Sequence, residues 1–417
     1  MRFPLKANLF RLALGGLEHA FALYAGISGA RARFIVGPDG DRVEGRGRLA
    51  LRRGWRFLHL EGTPREMGLQ QGRLLAPEIH RLLGTYLGGV RLFRGLARRT
   101  LLERGRRLEP FIPERYREEM EALAEGAGLA YEDVLLGHTF LEGIQAIACS
   151  CYAAWGRATR DGELIFGRNL EFFSMGVAHL AQVIVFRRPD RGMATLSVSW
   201  PGWCGTLTAV NAAGLCIGPL NVNRFQRELV GQPYIVMFRR LAEEAEDCAG
   251  AVELLRATRR TYSNNVLIAQ TRPAPHAVVA EYTKRIVVVR EPRPGNDFIL
   301  STNHFRKLGR TGELPEGSGY ARYPALYRSL ERNAGRIDLD TDLFGDPQVH
   351  LPCSLHCVVA APARREARIA IGLPAATAPY RRVRYDANGL RVPPVPTRHD
   401  GAGAPPVCHL GRRVAGG

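Results

Sequence analysis

Apolar residues recur at helical spacing from about residue 62 to residue 147. The segment EGTPREMGLQQGRLL places Thr63 as a candidate N-cap, Pro64 at the first helical position and Glu66 three residues after Thr63. Threonine and glutamate at this spacing form a capping box, in which each side chain accepts a hydrogen bond from the other residue's backbone N–H. The pattern therefore predicts several helices over residues 62–147.

At residue 147 the helical spacing gives way to short strand-like runs. The segment CSCYAAWGRATRDGELIFGRNLEFF contains two such runs joined by Asp161-Gly162, and Asp-Gly is a strong hairpin signal. More strand-like runs follow, interrupted by helical patterns at 232–257 and near 322–333, and a Pro/Gly-rich tail begins at about residue 392. Many strands with clustered helices predict an α+β protein built in layers.

The composition predicts a soluble globular protein with a basic surface. Of 417 residues, 46% are hydrophobic and 24% are charged, and 58 Lys and Arg against 40 Asp and Glu give a net charge of +18. The arginines are scattered, and we find no basic helix interleaved with aromatic residues. We therefore favour a solvated basic surface over specific nucleic-acid binding.

The first 34 residues begin basic and then turn apolar, with Arg11, Glu18 and His19 interrupting the apolar run. Such interruptions are poor for a signal peptide or a membrane span. We predict an amphipathic helix that could touch a membrane peripherally, and a cytoplasmic location rather than export.

Eight cysteines in a chain of this length do not form a disulfide scaffold, and most lie in apolar runs typical of reduced, buried thiols. The group Cys353-x-x-His356-Cys357 resembles half of a zinc site. Because no second pair follows at zinc-finger spacing, we predict a buried strand there and no metal or other cofactor.

Cys149 and Cys151 are the first candidates for chemistry. Residues two apart on a strand face the same side, so periodicity does not choose between them. If the chain folds back at Asp161-Gly162, Arg168 and Glu171 come beside them, and a cationic neighbour favours a reactive thiolate. On pattern alone, a buried cysteine beside a structural ion pair explains these residues as well.

The hairpin segment resembles the nucleophile hairpin of the isopenicillin N acyltransferase-like family, which belongs to the N-terminal nucleophile (Ntn) cysteine hydrolases and acyltransferases. The shared pattern is Cys followed by Ser, a strand, an Asp-Gly turn and Gly-Arg-Asn. The segments EGTPREMGLQQGRLL, LTAVNAAGLCIGPLNVN, STNHFRK and SGYARYPAL are similar to further family regions, and the likeness covers roughly residues 55–390.

The resemblance implies a four-layer αββα sandwich with two antiparallel sheets. It also implies four segments along the chain. These are an appended N-terminal extension (1–50), a helical pro-region (51–148), the catalytic core (149–391) and the C-terminal tail (392–417).

By the same resemblance Cys149 is the nucleophile, and Cys151 is its buried neighbour. Such enzymes cut their own chain before the nucleophile, here between Ala148 and Cys149. The new α-amino group, with an ordinary pKa of about 7.7–8.0, then serves as the general base.

The remaining roles are implied residue by residue. Arg168 would lie beside the thiolate, Glu171 would bind the new amine, and Asn303 would donate to the oxyanion. Arg322 would order the site, and Asn211 would contact the substrate's acyl carbonyl. Each also has a structural explanation: an Arg168–Glu171 ion pair, a helix cap at Asn303, a solvated helix face at Arg322 and a turn at Asn211.

Two residues depart from the family pattern. Glu171 is one methylene longer than the usual aspartate, and Ala148 replaces a glycine, which reaches strained conformations more readily. The expected partner is a small-molecule amide or acyl substrate. The alternative function is a non-catalytic basic protein that binds an anionic membrane or nucleic acid.

Overall fold

The computed structural model describes residues 15–17, 19–20, 23, 36–94, 98–143, 148–222, 230–309, 318–386 and 389–391. Most of the predicted N-terminal amphipathic helix, and the tail from residue 392, lie outside these ranges. No helix within them is long and apolar enough to cross a membrane.

Two β-sheets form the centre of the molecule. The first has ten strands in the order β1 (Gly40–Glu44), β2 (Gly47–Arg52), β3 (Trp55–Gly62), β6 (Val183–Pro189), β7 (Thr195–Ser199), β8 (Ala209–Asn211), β9 (Cys216–Asn221), β10 (Asn264–Gln270), β11 (His276–Tyr282) and β12 (Val287–Arg290). The second has seven, in the order β13 (Phe298–Ser301), β4 (Ala148–Gly156), β5 (Gly162–Glu171), β14 (Ser354–Ala361), β15 (Glu366–Ile371), β16 (Arg381–Asp386) and β17 (Gly389–Arg391).

Neighbouring strands run antiparallel in both sheets except at one position. There β3 pairs with β6 in parallel, with Phe57 opposite Ile184 and Gly62 opposite Pro189. A parallel pair needs a long crossover connection, and this one contains four helices and the hairpin β4–β5 of the other sheet. The parallel pair therefore joins the first three strands to the rest of the first sheet.

Helices cover the outer face of each sheet. Over the first sheet lie α1 (Pro64–Arg94), α5 (Tyr234–Glu244) and α6 (Cys248–Ala257). Helices α3 (Glu114–Ala127) and α4 (Tyr131–Thr139) pack beside α1, and α2 (Arg98–Leu108) packs on α4. Helix α7 (Ser318–Asn333) packs on β4 and β13 of the second sheet. The predicted αββα layering is thus confirmed.

The start of α1 matches its prediction. The backbone N–H of Thr63 donates to Glu66 Oε2 at 2.7 Å, and the N–H of Glu66 donates to Thr63 Oγ1 at 3.2 Å. Both halves of the capping box are therefore made.

Two local features differ from the sequence patterns. The polar stretch before residue 50, within the segment expected to be an appended extension, forms the hairpin β1–β2 at the edge of the first sheet. Residue 50 lies inside β2. The turn of the β4–β5 hairpin is also wider than two residues: the last paired positions are Gly156 and Gly162, and Asp161 lies in the loop between them.

All seven cysteines in the part of the chain that the structure describes are buried and unpaired with one another, and the apolar runs around them predicted the burial. His356 and Cys357 lie on β14, Cys353 comes just before it, and the described residues contain no cluster of three or more potential metal ligands.

The two sheets approach closely at Gly218 of β9. A Cβ added there would lie 2.5 Å from Cys151 Sγ and 3.0 Å from Phe166 Cζ, both on the second sheet. The absence of a side chain at Gly218 therefore lets the hairpin β4–β5 lie against β9.

We expect Gly218→Ala to lower the free energy of unfolding by about 1–3 kcal/mol, because the methyl group overpacks the contact between the sheets. Urea unfolding followed by tryptophan fluorescence measures this. Gly84→Ala is the control, since that exposed helical glycine has no neighbour within 4 Å of the added Cβ, and it should gain up to about 1 kcal/mol. Adding Cys151→Ala should recover part of the loss, and unchanged stability of Gly218→Ala would contradict this account.

Candidate active site

Cys149 lies fully buried on β4, directly opposite Leu170 of β5. Its side chain faces the other sheet together with those of Cys151 and Arg168, as strand periodicity requires for Cys149 and Cys151. The guanidinium of Arg168 lies between the two thiols, with Nη2 at 3.4 Å from Cys149 Sγ and Nη1 at 3.4 Å from Cys151 Sγ. The structure thus brings Cys149 and Arg168 together as predicted.

The charges of this group are set by its burial and its geometry. Burial opposes the charge of Arg168, but the adjacent Cys149 and Cys151 sulfurs hold the pKa of its guanidinium above the ordinary value. Burial raises the pKa of Cys151 to about 12 despite the nearby Arg168. Cys151 is therefore a neutral thiol near pH 7, and the positive charge of Arg168 lies beside the sulfur of Cys149.

A series of hydrogen-bonded, buried polar side chains holds Arg168 through its Nε atom. Arg168 Nε donates to Thr208 Oγ1 at 2.9 Å, and the Thr208 hydroxyl lies 3.1 Å from His356 Nε2. His356 Nδ1 lies 3.0 Å from Gln182 Oε1. Because burial and the Arg168 charge depress the pKa of His356, the ring is neutral. Its Nδ1 then donates to Gln182 and its Nε2 accepts from Thr208.

The sequence did not indicate this series of hydrogen-bonded side chains. His356 was noticed only as half of a zinc-like motif, and Thr208 and Gln182 carry no signal by themselves. The strand order brings them together, because β14 lies beside β5 and the segment before β8 faces that pair of strands.

The backbone of Cys149 is held by two of the predicted residues. Asn303 Oδ1 accepts from the Cys149 N–H at 2.6 Å, and Arg322 Nη1 donates to the Cys149 carbonyl oxygen at 2.7 Å. Arg322 also donates to Asn303 Oδ1 at 2.7 Å and to Ser150 Oγ at 2.6 Å. Both residues therefore contact Cys149 directly, and neither the cap suggested for Asn303 nor the solvated face suggested for Arg322 is observed.

Glu171 lies on the opposite face of the second sheet from the Cys149 thiol. It is fully buried, and its carboxylate lies 3.2 Å from Arg322 Nη1 and accepts from Asn169 Nδ2 at 3.0 Å and from the backbone N–H of Leu351. Its ion-pair partner is Arg322, not Arg168 as the structural alternative supposed. Glu171 is therefore linked to the Cys149 carbonyl oxygen through Arg322.

The structure does not bring Asn211 to this group. Its Oδ1 accepts from the N–H groups of Ala213 and Leu215, and its Nδ2 donates to the carbonyl oxygens of Ala242 and Ala245. All of these bonds stabilise the turn between β8 and β9 and its contact with α5. The turn interpretation of Asn211 is therefore correct, and its assignment as a substrate contact is not supported.

A second asparagine in the same sequence segment lies much nearer. Asn221 ends β9, and its carbonyl oxygen accepts from Asn303 Nδ2 at 2.7 Å. Its side-chain amide is buried and makes no hydrogen bond within the described part of the chain. Sequence reasoning chose Asn211 because Asn-x-x-Gly-Leu stands out, whereas Asn221 follows it in a plain apolar run.

The rings of His138 and His304 contact groups other than Cys149. His138 Nδ1 lies 2.7 Å from the Val134 carbonyl oxygen, and its Nε2 accepts from the Cys204 N–H at 2.8 Å. His304 Nδ1 lies 3.0 Å from Thr302 Oγ1, and its ring stacks on Tyr320. Burial lowers the pKa of His138 to about 4 and, with the charges of nearby arginines, that of His304 to about 3.

Glu142 is a buried carboxyl group shortly before Cys149 in the chain. Its Oε1 accepts from the backbone N–H of Tyr234 at 2.6 Å, and burial raises its pKa to about 7. It is therefore largely protonated below pH 7, and no sequence pattern indicates this.

Residues 158–374, just over half of the chain, match the family described as acyl-coenzyme A:6-aminopenicillanic acid acyl-transferase. This match and the layered fold define a protein of the acyl-transferase type. The chain belongs to the acyl-coenzyme A:6-aminopenicillanic acid acyl-transferase family, as its resemblance implied. The matched range contains Arg168, Glu171, Asn303 and Arg322 and begins after Cys149.

The chain is also similar to individual proteins. It is 29% identical over 247 residues to an uncharacterized protein of Archaeoglobus fulgidus, covering 52% of this chain and 41% of that protein. It is 30% identical over 191 residues to protein dcd1A of Dictyostelium discoideum, covering 38% of this chain and 43% of that protein. The matches therefore span less than half the length of these curated relatives.

Two solved structures are similar at low sequence identity. One is a Caenorhabditis elegans ortholog of N-acylethanolamine-hydrolyzing acid amidase, with a TM-score of 0.42, 14% identity and coverage of 51% of this chain and 93% of that one. The other is the conjugated bile acid hydrolase of Clostridium perfringens, with a TM-score of 0.39, 13% identity and coverage of 57% and 97%.

We expect Arg322→Met to lower the free energy of unfolding by about 3–5 kcal/mol, because it leaves Glu171 as a buried carboxylate without its cation. The double variant Arg322→Met/Glu171→Gln should recover a large part of this loss. Denaturant titration gives both values. Arg99→Ala breaks the exposed Arg99–Glu103 pair on α2 and should cost under about 1 kcal/mol. An equal loss at both arginines would contradict the role assigned to Arg322.

We expect the contribution of Glu142 to the free energy of unfolding to fall by about 3 kcal/mol as the pH rises from 4.5 to 7. Because its pKa is raised in the folded state, the folded protein binds more protons than the unfolded chain in this window, so stability falls as pH rises. Glu142→Gln should therefore gain stability relative to the wild type at pH 8 but not at pH 4.5. Glu118→Gln, at an exposed position of α3, is the control, and a pH-independent effect of Glu142→Gln would contradict the prediction.

Proposed function

We propose that the protein is a cysteine amidohydrolase or acyltransferase in which Cys149 attacks the carbonyl carbon of an amide substrate. The observation that carries this proposal is that both the sulfur and the backbone of Cys149 are held by other residues. Arg168 Nη2 lies 3.4 Å from its sulfur, while Asn303 and Arg322 hold its backbone N–H and carbonyl oxygen. A cation beside a fixed sulfur is what an activated thiol nucleophile requires.

The reaction proceeds in two halves. The Cys149 sulfur forms a bond to the acyl carbon, the amide C–N bond breaks, and the amine leaves after taking a proton. The resulting thioester is then attacked by water, which gives a carboxylic acid, or by an acceptor amine or thiol, which gives a new acyl compound. In each half the negative charge on the carbonyl oxygen must be stabilised.

Asn303 is the proposed donor to that oxygen. Its Oδ1 accepts from the Cys149 N–H, so its Nδ2 lies on a side chain already in contact with the nucleophile. In the uncut chain Nδ2 donates to the carbonyl oxygen of Asn221. Asn303 thereby holds an amide group next to the residue that would carry the acyl group, and Arg322 keeps Asn303 in place.

We further propose that the chain cuts itself between Ala148 and Cys149. The released α-amine would be the general base, since its ordinary pKa of about 7.7–8.0 leaves part of it neutral near pH 7. Glu171 supports this assignment, because Ala148 pairs with it across the hairpin and Arg322 links its carboxylate to Cys149.

The alternative of a non-catalytic basic protein receives no support from the family match. Retention on heparin or anionic vesicles that is unchanged by Cys149→Ala, together with an inert Cys149, would favour that alternative.

We expect the purified wild-type protein to yield a fragment that begins at Cys149, and incubation with an amide substrate to add one acyl group to it. Cys149→Ala should remain a single chain and lose at least about a thousandfold in amide turnover. Cys151→Ala is the matched control, because it removes the neighbouring thiol and should keep both properties. Intact-mass spectrometry and N-terminal sequencing give the answer. An uncut wild-type chain would refute self-cleavage, and undiminished turnover by Cys149→Ala would refute the nucleophile.

A further inference from the structure

Gln182, His356 and Thr208 form a polar series that ends on the Nε atom of Arg168. Its members come from different parts of the fold: Gln182 precedes β6, Thr208 precedes β8, and His356 lies on β14. All three side chains are more than nine-tenths buried. Because a buried polar group is costly unless it is hydrogen-bonded, each member needs its neighbours in the series.

One backbone carbonyl group fixes the direction of every hydrogen bond in the polar series. Gln182 Nε2 donates to the carbonyl oxygen of Leu355 at 2.7 Å, so Gln182 Oε1 faces His356 and accepts from its Nδ1 at 3.0 Å. The neutral ring of His356 then has its lone pair on Nε2, which accepts from the Thr208 hydroxyl at 3.1 Å. With its hydrogen directed at His356, the Thr208 oxygen presents lone pairs to Arg168 Nε.

This acceptor holds the third nitrogen of the Arg168 guanidinium. The other two, Nη1 and Nη2, each lie 3.4 Å from a sulfur, that of Cys151 and that of Cys149 respectively. Because a guanidinium is planar and rigid, a bond from Nε to Thr208 also sets the direction in which both Nη atoms point. Without that bond the arginine side chain could turn its Nη atoms away from the Cys149 sulfur.

The polar series holds the guanidinium without offsetting its charge. Its members are a hydroxyl, a neutral imidazole and a side-chain amide, and none of them carries a negative charge. A carboxylate in the place of Thr208 would orient Arg168 equally well but would compensate its positive charge. The neutral acceptor leaves that charge to act on the sulfur of Cys149.

We propose that the three members of the polar series are positioning residues, which hold the Arg168 guanidinium against the sulfur of Cys149 for attack on the substrate. The inference rests on the proposed function, since it takes Cys149 as the attacking residue. A thiol beside a cation loses its proton at lower pH than a thiol without one. The polar series therefore acts, through Arg168, on how readily the Cys149 sulfur becomes a nucleophile.

Thr208→Val removes the hydroxyl and keeps the shape of the side chain. We expect it to slow the alkylation of Cys149 by iodoacetamide at pH 7 about tenfold and to move the midpoint of the pH–rate profile upward by roughly one pH unit. Peptide mass spectrometry follows Cys149 separately from Cys151. Thr208→Ser keeps a hydroxyl and should restore the wild-type profile.

The matched control is Thr258→Val, which also removes a buried threonine hydroxyl. That hydroxyl donates to the carbonyl oxygen of Leu254 at the end of α6, and its loss should leave the alkylation profile of Cys149 unchanged. An unchanged profile in Thr208→Val, or the same shift in Thr258→Val, would overturn the proposal.

A double-variant experiment tests whether the polar series acts through Arg168. In an Arg168→Met background, adding Thr208→Val should change the alkylation rate of Cys149 by less than about twofold. A tenfold loss in both backgrounds would overturn the positioning role. If Arg168→Met does not fold, the rescue by Thr208→Ser decides the question instead.

His356→Phe tests the part of the series beyond Thr208. It removes the acceptor of the Thr208 hydroxyl but leaves the Thr208 oxygen beside Arg168. We therefore expect the midpoint for Cys149 alkylation to move in the same direction as in Thr208→Val, but by a smaller amount. An unchanged midpoint would overturn the assignment of His356 and of Gln182 behind it.

Alkylation of Cys149 needs no amide substrate, so this inference and the proposed function can fail separately. A shifted profile in Thr208→Val, without any amide turnover by the wild type, supports the polar series and refutes only the catalytic proposal. Where the wild type turns over an amide, Thr208→Val should lower kcat roughly tenfold and leave KM within about twofold. Turnover and an alkylation profile that Thr208→Val leaves unchanged would overturn the inference and leave the catalytic proposal standing.

Discussion

The contacts of the buried Arg168 guanidinium are the interaction on which the packing of the two sheets around Cys149 depends. A charge buried between two sheets is costly unless it is surrounded by partners. Here the partners come from β4 through Cys149 and Cys151 and from the first sheet's side through Thr208. Because Gly218 brings the two sheets close at this point, the contact that joins the sheets also holds the thiol.

Cys149 is constrained in two independent ways. Its sulfur faces the apolar interior, where Arg168 fixes it, and its backbone is bound by Asn303 and Arg322, whose own partner Glu171 lies on the far face of the second sheet. A change on the far face therefore reaches Cys149 through its peptide backbone, whereas a change between the sheets reaches it through the sulfur. The backbone and the sulfur of Cys149 are thus held by separate sets of residues.

Much of this could be predicted from the sequence, and what could not has a physical reason. The capping box of Thr63 and the hairpin around Cys149 depend on neighbours in the chain, so local patterns identified them. The sequence does not show whether Asn211 or Asn221 contacts Asn303, because that contact depends on how the strands pack in the fold. The hairpin β1–β2 was not predicted, because β1 (Gly40–Glu44) is short and mostly polar and carries no apolar alternation.

That parallel pair of β3 and β6 has a consequence for how the protein is made. During synthesis, β1–β3 emerge first, and β3 remains an unpaired edge until the segment containing β6 has followed. An exposed edge strand can pair with other chains, so the helices that intervene must shield it in the meantime. The first sheet is complete only when both parts have met on one continuous polypeptide, so any break in the chain has to come after folding.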